Sequence, residues 1–334
     1  MTARLFRAFR VTEKPDGSFS QELTHRDISD LPDNDVLINV KYSSLNYKDA
    51  LSATGHKGVT KNYPHTPGID ASGVVAVSRD KRFKPGDEVI VTGYDLGMNT
   101  SGGFAGYISV PGDWVVPLPQ NLSLAEAMML GTAGFTAAYA IHKLIECGQN
   151  PGNGPVLVTG ASGGVGSMAV AMLAQNGFEV LAATGKKEAA GYLKNLGASR
   201  IIDRQVVNDN SGKPLIRSAW AGAIDTVGGN VLATALKACQ KHGNVVSTGN
   251  ALSVELHTTV FPFILNGINL LGVDSATCPG PVRTKLWEKL AKEWKPGQLT
   301  LISTSGLPEE LQALIRKILK GELTGRKYID FTNT

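Results

Sequence analysis

The run Val156-Leu-Val-Thr-Gly160-Ala-Ser-Gly163-Gly164-Val-Gly166-Ser-Met-Ala-Val170 decides the fold. An apolar strand meets glycines at GxxGxxG spacing, and apolar residues at helical spacing follow. Glycine lets such a turn tighten and lets backbone N–H groups approach a pyrophosphate, whose charge is stabilised by the unpaired donors and the dipole at the helix start. Working outward, residues 155–275 alternate short strands (PVLVTG, EVLAAT, SRIID, AGAIDTV, GNVVSTG, INLLGVD) with helical stretches such as SMAVAMLAQNG and LATALKAC. That alternation predicts an α/β domain with a doubly wound parallel sheet. Strand, turn, helix and a second strand at the right distance all agree, so the glycines read as a dinucleotide site rather than as a purely structural turn.

Upstream, residues 4–120 hold short alternating runs punctuated by Pro67-Gly68, Pro85-Gly86 and Gly102-Gly103, the pattern of a β-rich, barrel-like domain. After residue 122 the period changes: Ser123 with Glu126 forms a capping signature before AMMLGTAGFTAAYAIHKL. A domain boundary is expected there. Downstream of residue 275 the pattern predicts a helix over 283–294, a strand LTLIS, a helix LPEELQALIRKILKG and a strand RKYIDF.

The second strand of the nucleotide-binding region ends Thr184-Gly185-Lys186-Lys187. An NAD site places Asp or Glu there to accept from the ribose 2′-hydroxyl, whereas a basic end suits the 2′-phosphate of NADPH. Lys187 reads equally as the exposed start of a helix. Arg200, in Gly197-Ala-Ser-Arg200, is a candidate second clamp or a solvated surface arginine.

With 42% hydrophobic and 19% charged residues the chain is neither disordered nor fibrous, and its 38 glycines follow no fixed period, which excludes collagen. The net charge of +4 comes from 33 basic and 29 acidic residues that are interspersed, so small anionic ligands are favoured over nucleic acid. Three scattered cysteines (Cys147, Cys239, Cys278) make neither a disulfide framework nor a metal spacing. Arginines at positions 4, 7 and 10 leave no apolar signal peptide, so a cytoplasmic location is expected. The uncharged stretch from Cys147 to Phe178 is broken by prolines and glycines and does not read as a membrane span.

Metal-dependent alcohol oxidation needs Cys, His and Glu converging on one ion. No cysteine precedes residue 147, and the β-rich region offers only His25, His56 and His65, so no metal site is expected. Direct hydride transfer to a conjugated carbon remains, which requires an oxyanion stabiliser and a proton donor. Ser43-Ser-Leu-Asn46-Tyr47-Lys48-Asp49-Ala-Leu51 gathers candidates in one turn: Asn46 to orient a substrate or nicotinamide amide, Tyr47 to bond the cofactor or relay a proton, and Asp49 to hold the loop. An ordinary polar turn is the alternative.

SSLNYKDAL, PGID at 67–70, GTAGFTA at 131–137, VTGASGGVGSMAV at 158–170, GASR at 197–200, WAGAIDTVGG at 220–229, PFIL at 262–265 and GVDS at 272–275 together resemble the zinc-independent, quinone-oxidoreductase-like branch of the medium-chain dehydrogenase/reductase superfamily. Within it the chain is most similar to the NADPH-dependent acryloyl-CoA reductases. The resemblance implies a GroES-like β-barrel catalytic domain (1–126), a Rossmann NADPH-binding domain (127–298) and a C-terminal return to the first domain (299–334). It also implies cofactor contacts at Tyr47, at Ser162, Gly163, Gly164 and Val165, at Thr184, Gly185 and Lys186, and at Arg200, Asn250, Ile264, Ser275 and Arg326. Lys186 stands where relatives often have Arg, and Asn250 where they are expected to be apolar. The implied activity is reduction of acryloyl-CoA to propanoyl-CoA. Reduction of quinones or reactive enones is the rival within the fold, and a non-catalytic NADPH-binding protein is the rival of another class. A homodimer pairing INLLGVD across a two-fold is implied as well.

Overall fold

A computed structural model describes residues 5–332. The elements are, in chain order, β1 (Leu5–Glu13), β2 (Phe19–Asp27), β3 (Val36–Leu45), α1 (Tyr47–Ala53), β4 (Asp70–Ser78), β5 (Glu88–Thr92), β6 (Tyr107–Val110), β7 (Val115–Pro117) and α2 (Leu124–Glu146). They continue with β8 (Val156–Val158), α3 (Gly164–Gln175), β9 (Val180–Thr184), α4 (Ala190–Asn195), β10 (Arg200–Asp203), β11 (Trp220–Asp225), α5 (Gly229–Lys237), β12 (Cys239–Ser247), α6 (Phe261–Asn266) and β13 (Asn269–Gly272). The last are α7 (Gly280–Leu290), α8 (Leu299–Ile302), β14 (Ser303–Gly306), α9 (Leu311–Leu319) and β15 (Arg326–Asp330).

Two compact units result. The first holds the residues up to Thr132, Ala276–Ala291 and those from Leu299 onward; the second holds Ala133–Ser275 and Lys292–Gln298. In the first unit a seven-stranded sheet runs β14-β15-β3-β4-β5-β7, with β6 also paired to β3. Along β3 the buried residues Val36, Ile38 and Val40 alternate with partly exposed ones, as one covered face requires, but Ser43, Ser44 and Leu45 are all buried. The polar end of β3 is therefore enclosed on both faces, and enclosed hydroxyls need partners.

Residues 276–291, expected in the nucleotide-binding domain, pack with the first unit instead. The cause is Arg283 of α7, which is 1% exposed. Its guanidinium donates to the Thr92 carbonyl (2.8 Å), the Thr92 hydroxyl (3.0 Å) and the Ala276 carbonyl (2.9 Å), and lies over the Tyr94 ring. A buried guanidinium is tolerated only when its donors are engaged this way.

The second unit contains a parallel sheet in the order β10-β9-β8-β11-β12-β13. Its three central strands, β8, β9 and β11, are buried at every position because helices cover both faces, which is why they read as continuous apolar runs. The sheet edges β10 and β13 are largely exposed.

The capping signature before α2 is formed: the Glu126 amide donates to the Ser123 hydroxyl (3.2 Å) and the Ser123 amide to the Glu126 carboxylate (2.9 Å). Among the described residues α2 is long and apolar enough to cross a membrane, yet most of that apolar run is buried within the protein. Its helix is interrupted at Gly131, whose φ of 49° and ψ of −158° are not helical. The chain passes from the first unit to the second immediately after this break.

Candidate functional site: a phosphate loop and a buried polar network

In the second unit, β8 runs into the glycine turn and α3 starts at Gly164, with Gly163 as its N-cap. A Cβ on Gly166 would lie 2.3 Å from the Gly160 carbonyl oxygen and 2.7 Å from the Ala161 Cα. Only glycine lets the first turn of α3 seat this close to the strand. That turn has no side-chain cap, so its amides suit a phosphate anion. Ser162 bonds the Thr184 hydroxyl (3.0 Å), which also accepts from the Lys186 amide (3.1 Å), so the loop and the end of β9 are tied together. Behind the loop Asp225, fully buried at the end of β11, accepts from the Thr159 hydroxyl (2.6 Å) and the Gly228 amide (2.8 Å). Burial raises its carboxyl pKa.

At the end of β9 the structure adds a residue that sequence reasoning missed. The Arg204 side chain crosses Gly185, whose Cβ would sit 2.6 Å from its Cδ and 2.9 Å from its Nε, and its amide donates to the Thr184 carbonyl (3.2 Å). Lys186 and Arg204 thus flank Gly185 with cationic groups. The structure does not bring Arg200 to this group. In the parallel register Arg200 lies beside Leu181 while Asp203 lies beside Thr184, so Arg200 sits at the opposite end of the strand, with Glu179 3.8 Å away. Ligands of doubly wound sheets bind beyond the carboxyl ends of the strands, and Arg204 is the first residue past SRIID. That rule is the signal that would have selected it.

Asn250 is exposed in the loop after β12, with its Cα 3.2 Å from the place a Gly228 Cβ would take. Ser275 accepts from the Thr136 hydroxyl (2.8 Å), and Ile264 is exposed on α6.

The first unit carries the second cluster. Tyr47 opens α1 and is 46% exposed, whereas Asn46 and Asp49 are buried. Asp49 accepts from the backbone amides of Asn46 (2.7 Å) and Ile69 (2.8 Å), pinning the turn after β3 to the start of β4. Complete burial, reinforced by the nearby Asp70 carboxylate, pushes its pKa up to about 7. Both Asp49 oxygens are thus engaged in tying the turn together.

Asp70, the last residue of PGID, gathers the network. It accepts from the Ser44 hydroxyl (2.5 Å), the Asn46 side-chain amide (2.8 Å), the Thr132 amide (2.8 Å) and the Thr132 hydroxyl (2.5 Å). Arg326, the first residue of β15, lies 3.8 Å from the same carboxylate. It donates to the Asn46 Oδ1 (3.2 Å), the Ser44 hydroxyl (2.8 Å) and the Met129 carbonyl (3.2 Å). Its side chain is 3% exposed, so Arg326, an expected cofactor contact, is placed inside the first unit as the counter-ion of Asp70. Among the described residues no group of three or more His, Cys, Asp or Glu could hold a metal ion.

A pH dependence follows from Asp49. Its pKa is higher in the folded protein than in the unfolded chain, so its stabilising contribution is full below about pH 4 and is lost as the pH rises through about 7. Asp49→Asn turns an amide NH2 toward a backbone N–H that has lost its acceptor, which costs about 1–3 kcal/mol. In urea unfolding across that window, the wild type is expected to lose stability with rising pH more steeply than the variant. Parallel slopes would remove Asp49 from the account.

Comparison with known proteins agrees with this architecture. An alcohol dehydrogenase GroES-like domain model matches residues 32–120 and a zinc-binding dehydrogenase model matches residues 164–292. An acrylyl-CoA reductase, AcuI, of Ruegeria pomeroyi is 44% identical over 91% of this chain and 92% of its own. The yhdH oxidoreductase of Salmonella enterica in complex with NADP superposes with a TM-score of 0.94 at 42% identity, covering 97% of this chain and 99% of that one. The Bacillus subtilis protein yhfP with NAD bound superposes at 0.95 with 47% identity, covering 98% and 100%. The chain belongs to the quinone-oxidoreductase-like branch of the medium-chain dehydrogenase/reductase superfamily and is an NAD(P)-dependent oxidoreductase.

Proposed function

We propose that this chain reduces the carbon–carbon double bond of acryloyl-CoA to give propanoyl-CoA, with NADPH as the reductant. The observation that carries the cofactor choice is the pair Lys186 and Arg204 flanking Gly185, where an NAD site would present a carboxylate. The pyrophosphate is assigned to the loop from Ser162 to Val165 at the start of α3, where the Gly163 amide is already held by the Gly160 carbonyl (2.9 Å), and Asn250, Ile264 and Ser275 are assigned to the rest of the cofactor site. The substrate choice is supported by the likeness to AcuI over nine-tenths of both chains.

The reduced nicotinamide, when bound, supplies a hydride for the β-carbon. The thioester carbonyl polarises the double bond, so the protein has to steady the enolate oxygen and deliver a proton to the α-carbon. Tyr47, exposed at the start of α1, is assigned the proton, and Asn46 the orientation of the ligand beside it. Steady-state rates with acryloyl-CoA, crotonyl-CoA and a benzoquinone, each with NADPH and with EDTA present, test the reading. Turnover of the thioesters with the quinone at least tenfold slower is expected. A quinone consumed as readily, with no gain from the CoA moiety, would replace it with a quinone or enone reductase.

The working form is proposed to be a homodimer in the cytoplasm, where thiols such as those of Cys147 and Cys239 stay reduced. Exposed edge strand β13 with Leu270, and Phe261 and Leu265 of the neighbouring α6, offer a second copy an unpaired backbone edge and an apolar patch. Light scattering should give twice the chain mass, and Leu270→Lys should lower it to one.

A further inference from the structure

Asn46 is held in a way that fixes what it can offer a ligand. Its Nδ2 donates to the Asp70 carboxylate (2.8 Å) and to the Ser44 carbonyl (3.3 Å), while its Oδ1 accepts from the Arg326 guanidinium (3.2 Å). A primary amide has two N–H donors and an oxygen with two lone pairs. Both donors are therefore engaged inside the protein, and one lone pair on Oδ1 is left. The opposite orientation is barred electrostatically, because it would turn the amide oxygen toward a carboxylate that can only accept and the NH2 toward a guanidinium that can only donate.

We propose that Asp70 and Arg326 are positioning residues that lock the Asn46 side chain in one orientation, so that Asn46 meets its ligand only as a hydrogen-bond acceptor. The group it takes is then an N–H or O–H donor, such as a carboxamide or a hydroxyl of the bound cofactor or substrate. Asn46 cannot donate to the enolate oxygen, which has to be steadied by other donors. The inference rests on the reading above only in treating this turn as part of the reductase site; the locked orientation is a property of the first unit alone.

Two measurements test it. In protein labelled with 15N-asparagine, the Asn46 carboxamide hydrogens, assigned by their loss in Asn46→Ala, are expected to exchange slowly with water both before and after NADPH and propanoyl-CoA are added. Fast exchange, or release from protection on ligand binding, would show a free donor and overturn the lock. This readout is independent of turnover and is taken on the wild-type network, a variant serving only for the assignment. The second is a double-mutant cycle on kcat with acryloyl-CoA. Asn46→Ala and Arg326→Lys are each expected to lower kcat by about 10²-fold with KM little changed, and the double variant to be no slower than either. Multiplicative losses would show that Arg326 acts other than through Asn46 and overturn the positioning role. If the wild type reduces no thioester, the proposed reaction fails while the exchange result still decides the lock.

Discussion

Lys186→Glu is expected to lower kcat/KM for NADPH by about 10²–10³-fold while changing that for NADH by less than about tenfold. A charge-assisted hydrogen bond contributes about 1.5–3 kcal/mol, or roughly one to two powers of ten, and reversing the sign adds repulsion against a dianionic phosphate. Arg204→Ala removes a cation without introducing an acid, so about 10–30-fold is expected, again confined to NADPH. Arg200→Ala serves as the contrast, since its register beside Leu181 places it away from the end of β9. An NADPH-to-NADH ratio that follows Arg200 and ignores Arg204 would overturn the assignment. The ratio, rather than either rate alone, is the quantity to measure, because a general loss of folding moves both coenzymes together.

Gly131→Ala is expected to destabilise the protein by about 3–5 kcal/mol, read as a lower urea midpoint at unchanged slope. A Cβ there would lie 2.4 Å from the Ser44 hydroxyl oxygen, 2.6 Å from the Arg326 Nη2 and 2.7 Å from the Asp70 Oδ2. It would thus press into a buried ion pair that cannot move without leaving charges unpartnered. The backbone adds to the cost, since φ of 49° with ψ of −158° belongs to a region that side chains resist. Gly191 in α4 is the control: nothing lies within 4 Å of its Cβ position and its φ is not positive, so Gly191→Ala should stabilise by about 0.5–1 kcal/mol. Equal effects at the two positions would contradict the account of the helix break.

The phosphate loop was legible because its information is local: a strand, glycines at fixed spacing and a helix lie within fifteen residues of one another. The turn Asn46–Asp49 was legible as a cluster for the same reason. Arg204 was not, because choosing between it and Arg200 needs the pairing register of β9 and β10, which no local pattern reveals. Asp70 and Arg326 were legible as residues of motifs but not as partners. Arg326 is 280 positions from Asn46, and only the return of β15 beside β3 joins them. The segment LTLIS, read as a strand, instead gives the short helix α8 followed by β14, whose pairing with β15 begins at Ser303. There the Ser303 hydroxyl is taken by the Met129 carbonyl, a tertiary contact that outweighs the β-branched local preference.

The seat of β15 between β14 and β3 also bears on how the polypeptide is made. A nascent chain emerging from the ribosome can complete most of its nucleotide-binding half from one continuous stretch, Ala133–Ser275. The half that emerges earlier must wait until Arg326–Asp330 have been made before an interior strand of its sheet exists, and until then it exposes a raw edge at β3 to aggregation and to chaperones. Ribosome stalling after Ser275 has emerged but before Arg326 is made should therefore yield a species with a protease-resistant dinucleotide fold and a digestible amino-terminal half.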